Sequence, residues 1–377
     1  MDIKDFKAGK YISHLGYGYF LPEKISKPWR ISSPDIINLL SEADRLLGEL
    51  NAFSQLIPDV DFFIKMHVSK EAVTSGRIEG TRTEMEEVFL TKEDIEPEKR
   101  DDWQEIQNYI QALHYAINEL ENIPLNNRLL KNTHKILLQG VRGKHKLPGE
   151  FRRSQNWIGA TLKDAVYVPP HHAEVPELMS DLEKFLHDET LQVPGLIKIG
   201  MAHYQFETVH PFLDGNGRLG RLLITLFLVD KGLLQKPALY ISDFFDRHRM
   251  LYFDHLMRVR QFNDMEAWLK FFLTGIIETS RSSIDVFKNI LKLKADIEQN
   301  QLPGLGKKVK KANELLRILF ENPVITSAEV ARKMQIAPST ANRLLADFVR
   351  LGILEETTGF KRNRKFTFKK YLDLFQK

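Results

Sequence analysis

His210, Asp214, Arg218 and Arg221 fall within twelve consecutive positions, interleaved with Gly215, Asn216, Gly217 and Gly220. An imidazole titrates near working pH and suits a base that takes a hydroxyl proton. A carboxylate such as Asp214 is a hard oxygen ligand, the kind Mg²⁺ uses alongside substrate phosphates. Small residues let backbone N–H groups approach an anion closely. Two arginines three apart on a helix share a face and can grip neighbouring phosphates. These are the parts needed to hold a metal–polyphosphate and deprotonate a hydroxyl beside it.

Three familiar templates compete for the segment and fail. Gly215-Asn216-Gly217-Arg218-Leu219-Gly220 spells G-x-G-x-x-G. A dinucleotide fingerprint needs a buried strand before it, and Tyr204 to Pro211 does not read as one. The P-loop needs a Lys and a Ser/Thr after its last glycine, whereas Arg221-Leu222 stands there. An EF-hand loop needs Gly at the sixth position from Asp214, which is Leu219.

Arg218 to Leu228 reads as a helix that quickly becomes buried, and Gly215 to Gly217 precede or open its first turn. A helix N-terminus carries partial positive charge and orphan N–H groups, a ready anion site. The segment resembles the Fic family signature H-x-F-x-[D/E]-G-N-G-R-x-x-R at every specified position: His210, Phe212, Asp214, Gly215, Asn216, Gly217, Arg218 and Arg221. The resemblance implies roles. His210 would deprotonate a Ser, Thr or Tyr hydroxyl of a target protein. Asp214 would hold Mg²⁺ on ATP. Gly215, Asn216 and Gly217 would form the anion hole, Gly220 would belong to the nucleotide site, and Arg218 and Arg221 would position the β- and γ-phosphates. The product would be an AMP-modified protein.

Other segments extend the resemblance. Thr74-Ser75-Gly76-Arg77-Ile78-Glu79-Gly80 resembles the family's inhibitory motif [S/T]-x-x-x-E-[G/N]. Ser75 and Glu79, four apart, would stack on one helix face, with Glu79 reaching Arg221. Phe151 to Gly159 and Ala165 to Pro170, broken at Thr161 to Asp164, read as a hairpin. It resembles the family's flap, with Ile158, Tyr167 and Val168 expected to align the target by strand addition. His171 and His172 lack a third ligand at useful spacing and read as solvent-exposed loop residues. Arg247 to Leu256 and Asp264 to Leu273 resemble the closing helices of the fold, where Tyr252 would lie near adenine or ribose or else in the core.

The 377 residues suit two or three domains. No cysteine is present, which excludes disulfides and Cys-ligated zinc. The charged start and the lack of a long apolar run predict a soluble, cytoplasmic protein. Net charge is +4, unevenly placed: residues 307–377 hold 16 Lys/Arg against 7 Asp/Glu. Leu302-Pro303-Gly304-Leu305-Gly306 reads as a linker before this basic module. Lys311 to Glu321 predicts a helix, Thr326 to Glu329 a capping box, and Ala341, Leu344, Leu345 and Phe348 one face of a third helix. Two alternating segments follow, around Thr358 to Arg364. The pattern resembles a winged helix-turn-helix. It would present Ser339, Thr340, Asn342 and Arg343 outward, and its wing would carry Lys361, Arg362, Arg364 and Lys365. DNA is one expected partner and protein docking the alternative.

The expected fold is mainly α: a Fic-type helical core with a small β-hairpin flap, plus a C-terminal winged helix of α+β type. The expected division is 1–95, a helical region carrying the inhibitory helix; 96–300, the catalytic domain; and 307–377, the winged helix. The expected activity is ATP- and Mg²⁺-dependent protein adenylylation, held off by Glu79, with the relatives' regulation suggesting a homodimer and no membrane partner. The alternatives are a phosphotransferase or other nucleotidyl transferase on the same scaffold, and a DNA-binding regulator with a Fic core as sensor. Gly217, where phosphate-transferring relatives depart from the signature, favours AMP.

Overall fold

A computed structural model of the chain describes residues 1–14, 16–56, 60–140, 143, 145–357 and 364–375. Helices dominate: α1 (Pro34–Leu56), α2 (Val60–Ile78), α3 (Arg100–Glu119), α4 (Asn127–Leu137), α5 (Val175–His187), α6 (Gly195–Val209), α7 (Asn216–Asp230), α8 (Ser242–Arg247), α9 (Arg249–Phe262) and α10 (Met265–Asp296). Helix α1 starts on Pro34, whose missing N–H would be an orphan there anyway. Its Ile36, Ala43, Leu46, Leu47 and Leu50 are buried, and it packs along α10. Helix α6 is buried on every side between α5, α7 and α10. An element with no solvent face is a central post. The Trp268 indole of α10 donates to Gly200 O at 2.9 Å, and a Cβ on Gly200 would meet Phe272 at 2.9 Å. That glycine lets α10 close onto the post.

The N-terminal region differs from its all-helical expectation. Strands β1 (Gly9–His14) and β2 (Tyr17–Pro22) pair antiparallel, with Tyr11 opposite Phe20 and Ile12 opposite Tyr19. Aromatic and β-branched side chains at alternating positions pack well on a pleated surface. The hairpin also seats against the core, since Phe20 N–H donates to Val168 O at 2.9 Å.

The C-terminal module holds α11 (Val309–Glu321), β3 (Val324–Thr326), α12 (Ser327–Lys333), α13 (Pro338–Arg350), β4 (Glu355–Glu356), β5 (Lys365–Thr367) and α14 (Lys369–Leu372). Its sheet runs β3-β5-β4 and is antiparallel. Thr326 and Glu329 form the reciprocal capping box. Ala341, Leu344, Leu345 and Phe348 are the buried face of α13; Ser339, Asn342 and Arg343 are exposed, while Thr340 is half-buried. Strand β3 was not expected from its three residues. Lys361 and Arg362 lie outside the described residues.

Residues 302–306 are not a free linker. They continue from α10 through a π-helical turn into a 3₁₀ segment, and Leu302 and Leu305 are buried. The winged module then packs on α2. Phe63 meets Phe320 at 6.0 Å between ring centroids, His67 meets Phe375 at 5.1 Å, and Lys65 Nζ donates to Asn322 Oδ1 at 3.0 Å. Lys365 pairs with Asp94 at 2.9 Å. Among the described residues, no helix is long and apolar enough to cross a membrane.

Candidate active site

Helix α6 ends at Val209, and His210 is its cap in the left-handed region, φ 49°. Pro211 cannot continue the helix. That conformation costs a residue with a Cβ about 1–2 kcal/mol, so it persists only where surroundings impose it. The His210 N–H still bonds Phe206 O, and its carbonyl takes Arg152 Nε at 3.0 Å and Asn156 Nδ2 at 3.4 Å. The imidazole is half-buried, and its Nδ1 is shut off from solvent. Burial, then the charges of Arg152 and Arg260, hold its pKa down to about 4, against upward pulls from Glu79 and from a hydrogen bond to the Glu207 backbone. The ring is therefore neutral near pH 7 and has an acceptor nitrogen to offer.

The turn from His210 into α7 is closed by Asn216. Its Oδ1 accepts Phe212 N–H at 2.8 Å and its Nδ2 donates to Phe212 O at 2.9 Å. The amide is consumed by the loop, so any anion contact at this position falls to the backbone. The Phe212 ring stacks on His134, 3.8 Å between centroids and 15° apart. His134 Nδ1 accepts Gly149 N–H at 2.9 Å, so its Nε2 carries the proton and donates to Asp214 O at 3.0 Å. That bond leaves the Asp214 carboxylate on the loop's outer side, 43 % exposed. Gly215 caps α7 with φ 74°, and a Cβ there would crowd Leu138 at 3.2 Å. Glycine meets both demands.

Arg218 and Arg221, buried on α7, face carboxylates. Arg218 Nη1 donates to Glu105 Oε2 of α3 at 2.9 Å, and its Nη2 lies 3.7 Å from Asp214. Arg221 is enclosed by the end of α2: Nε donates to Ser75 Oγ at 2.9 Å, and Nη2 to Ser75 O at 2.9 Å and Glu79 Oε1 at 2.8 Å. Burial would raise the Glu79 pKa, but Arg221 and then Arg218 outweigh it and hold the carboxyl below its usual value. A Cβ placed on Gly217 would lie 2.3 Å from that same Glu79 oxygen. A carboxylate therefore already stands against the glycine opening of α7 and the second arginine. A cavity of about 240 Å³ adjoins it, lined in part by Glu79, Glu105, Asp214 and Arg218.

The space against Gly217 and Arg221 accepts an anion, because Glu79 supplies one. For Mg²⁺, Asp214 is the partly exposed oxygen donor beside the cavity. Among the described residues no cluster of three His, Cys, Asp or Glu could hold a metal by itself. One carboxylate fits an ion bound chiefly through phosphates and water.

Tyr252 takes the core alternative of its two expected places, and Tyr167, Val168, His171 and His172 sit less exposed than the sequence suggested. Tyr252 is fully buried and stacked on Phe245 at 4.3 Å, with its hydroxyl 3.0 Å from His203 Nε2. His203 Nδ1 faces Gly220 O at 2.8 Å, so it donates there and Nε2 accepts from Tyr252. In this arrangement Tyr252 braces α7 from the core. In the flap, Ile158 and Tyr167 form one antiparallel bridge. Ile158 and Val166 are exposed, but Tyr167 points inward and donates to Thr208 O at 2.7 Å. Val168 is half-buried and its carbonyl already takes Phe20 N–H. Side chains alternate across a strand, so 166 and 167 cannot share the outer face. His171 and His172 are half-buried rather than solvent-exposed, and His171 packs 5.0 Å from His14.

Glu105, His134, Arg152 and Glu207 were not expected at the site. Glu207, one turn before His210, is buried with Oε1 unpartnered against Gly220. Burial, opposed by Arg221, pushes its carboxyl up to about 7.

Residues 37–118 match the Fic/DOC family N-terminal region, 124–228 the Fic/DOC family, and 310–355 a winged helix-turn-helix DNA-binding family. Protein adenylyltransferase Fic of Aedes aegypti is 32 % identical over 140 residues, 37 % of this chain and 25 % of that one. Its Drosophila melanogaster counterpart is 28 % identical over 169 residues, 45 % of this chain and 30 % of the other. The chain thus spans less than a third of the length of these curated relatives. In fold, it resembles a Fic family protein from Desulfovibrio desulfuricans, with TM-score 0.57 and 21 % identity, covering 91 % of this chain and 98 % of that one. It also resembles a Fic domain containing signalling protein from Bacteroides thetaiotaomicron, with TM-score 0.52 and 17 % identity, covering 68 % and 97 %.

Proposed function

The chain carries a Fic domain with a Fic N-terminal region before it and a winged helix after it, and from that premise we propose that it is a protein adenylyltransferase. It would move AMP from ATP to a Ser, Thr or Tyr hydroxyl. The observation that carries this reading is the Glu79 carboxylate held 2.8 Å from Arg221 against Gly217, an internal anion where a phosphate would bind.

In the active form, Arg221 exchanges Glu79 for the γ-phosphate and Arg218 holds its neighbour. The N–H groups opening α7 at Gly215 to Gly217 face the polyphosphate. Asp214 would hold Mg²⁺, which supplies charge neutralisation on the phosphates when bound. The hydroxyl oxygen of the target attacks the α-phosphorus, and its proton passes to the neutral His210 imidazole. The bond from the α-phosphorus to the bridging oxygen breaks, and pyrophosphate leaves with the electron pair. Such catalysis is mostly positioning and charge stabilisation. Ser75 and Glu79 hold the resting state by occupying Arg221.

The deciding experiment incubates Glu79→Gly protein with Mg²⁺ and ATP labelled at the α- or the γ-position. Label transfer from the α-position alone supports adenylylation. Transfer from the γ-position alone would make the chain a phosphotransferase.

We also propose duplex DNA as the ligand of the winged helix, through exposed Ser339, Asn342 and Arg343 on α13. Phosphate-dominated binding weakens steeply with salt. The absence of salt-sensitive DNA binding at low ionic strength would leave protein docking as the module's role.

A further inference from the structure

The last four carbonyls of a helix have no partner within it. At the end of α6 these belong to Glu207, Thr208, Val209 and His210, since Phe206 O already takes the His210 N–H. All four are capped by side chains from remote segments. Arg260 Nη2 of α9 donates to Glu207 O at 3.3 Å, and Tyr167 Oη to Thr208 O at 2.7 Å. Arg152 serves both remaining carbonyls, with Nη2 at 3.3 Å from Val209 O and Nε at 3.0 Å from His210 O. Asn156 adds a second donor to His210 O at 3.4 Å.

Three of these four caps come from the flap segment. Arg152 does more than cap. Its Nη2 also donates to Pro170 O at 2.6 Å and its Nη1 to Ser154 O at 3.3 Å, while its backbone N–H meets Pro211 O at 2.9 Å. One buried guanidinium thus ties both arms of the flap to the last turn of the catalytic helix. A cation also suits a helix C-terminus, where the peptide dipoles leave negative charge. The planar fork of arginine reaches several acceptors at fixed angles, which the single point charge of lysine cannot do.

We propose that Arg152 is a positioning residue for AMP transfer: it sets the distance and orientation between the flap that would align the target and the His210 ring that would take its proton. This rests on the adenylyltransferase reading. Arg152 touches neither the phosphate-facing arginines nor the opening of α7, so its role is separable from nucleotide binding. Misplacement of reacting groups by about 1 Å costs on the order of 100-fold in rate.

The test uses the full chain with Glu79→Gly as the reference, and Arg152→Met and Arg152→Lys added to it. Mg²⁺-ATP affinity is measured by calorimetry, AMP transfer from α-labelled ATP into the chain itself and into lysate proteins, and amide exchange by mass spectrometry. Arg152→Met is expected to lose about 100-fold in transfer rate while ATP affinity stays within about twofold. Arg152→Lys, with the charge but not the fork, is expected to recover only part of the rate. In Arg152→Met, exchange at Ile158, Val166, Tyr167 and His210 should rise while α11 to α13 stay protected. Unchanged transfer, or a loss of ATP affinity that matches the loss of rate, overturns the proposal. If the Glu79→Gly reference itself transfers no AMP, the adenylyltransferase reading fails instead. Amide exchange then still decides the tie: unchanged exchange at the flap and His210 would dismiss it.

Discussion

The Arg221 guanidinium and the Glu79 carboxylate, 142 residues apart in the chain, meet at 2.8 Å, with Ser75 completing the grip on Arg221. The side chain of Arg221 is 1 % exposed and that of Glu79 40 %. The arginine is thus the fixed partner and the glutamate the one with room to leave.

Glu79→Gly is therefore expected to raise AMP transfer by about tenfold or more, since an allosteric or inhibitory coupling of 1–3 kcal/mol spans roughly that range. Quantifying incorporation from α-labelled ATP beside the unaltered chain checks it. Equal rates would remove Glu79 from the regulatory account.

His210→Ala should separate binding from chemistry. Loss of a positioned base costs roughly 10² to 10⁴ in rate. No bond ties the ring to Arg218 or Arg221, so calorimetry should find ATP affinity nearly unchanged in the Glu79→Gly background. A comparable fall in affinity would place His210 in the nucleotide site.

The pH profile follows from the depressed His210 pKa. Its value is about 4, and Glu79 is the charged neighbour that raises it. Removing Glu79 lowers it further, so the base is deprotonated throughout neutral and mildly acidic conditions. The acid limb of the transfer rate in Glu79→Gly protein is expected below about pH 5 rather than near the ordinary imidazole value of about 6.5. A limb between pH 6 and 7 (about the unperturbed range) would mean that some other group controls the rate.

Gly217→Ala tests the anion site by volume. A Cβ there would lie 2.3 Å from Glu79 Oε1 and 3.0 Å from Arg221 Nη1. In the Glu79→Gly background only the arginine clash remains, and it falls on the space proposed for phosphate. ATP affinity should drop by about tenfold, equivalent to roughly 1.4 kcal/mol. Full affinity by calorimetry would put the phosphates elsewhere.

Much of the site was legible because its parts are close in sequence. His210 to Arg221 spans one helix cap, one loop and one helix start, so spacing alone placed the imidazole, the glycines and both arginines together. Glu79 was reachable only through the family resemblance, because nothing local links it to Arg221. The braces were not legible. Glu105, His134 and Arg152 act across separations of 113, 80 and 58 residues, on a guanidinium or a carbonyl that carries no sequence mark of its own. Tyr167 misled, and Tyr252 stayed open between two places, for a related reason: an aromatic in a functional segment looks alike whether its ring serves the cleft or the core. The β1–β2 hairpin was missed because six-residue strands offer little periodicity to separate them from loop.

Helix α2 has two tenants. Its last turn holds Arg221, while Phe63 and His67, further back, lie under Phe320 and Phe375 of the winged module. Cutting the chain before residue 307 would lay those rings open to water on the very helix whose last turn holds Arg221. A shortened fragment is thus a different protein, and rates measured on it would mix removal of the module with loosening of the Glu79–Arg221 contact.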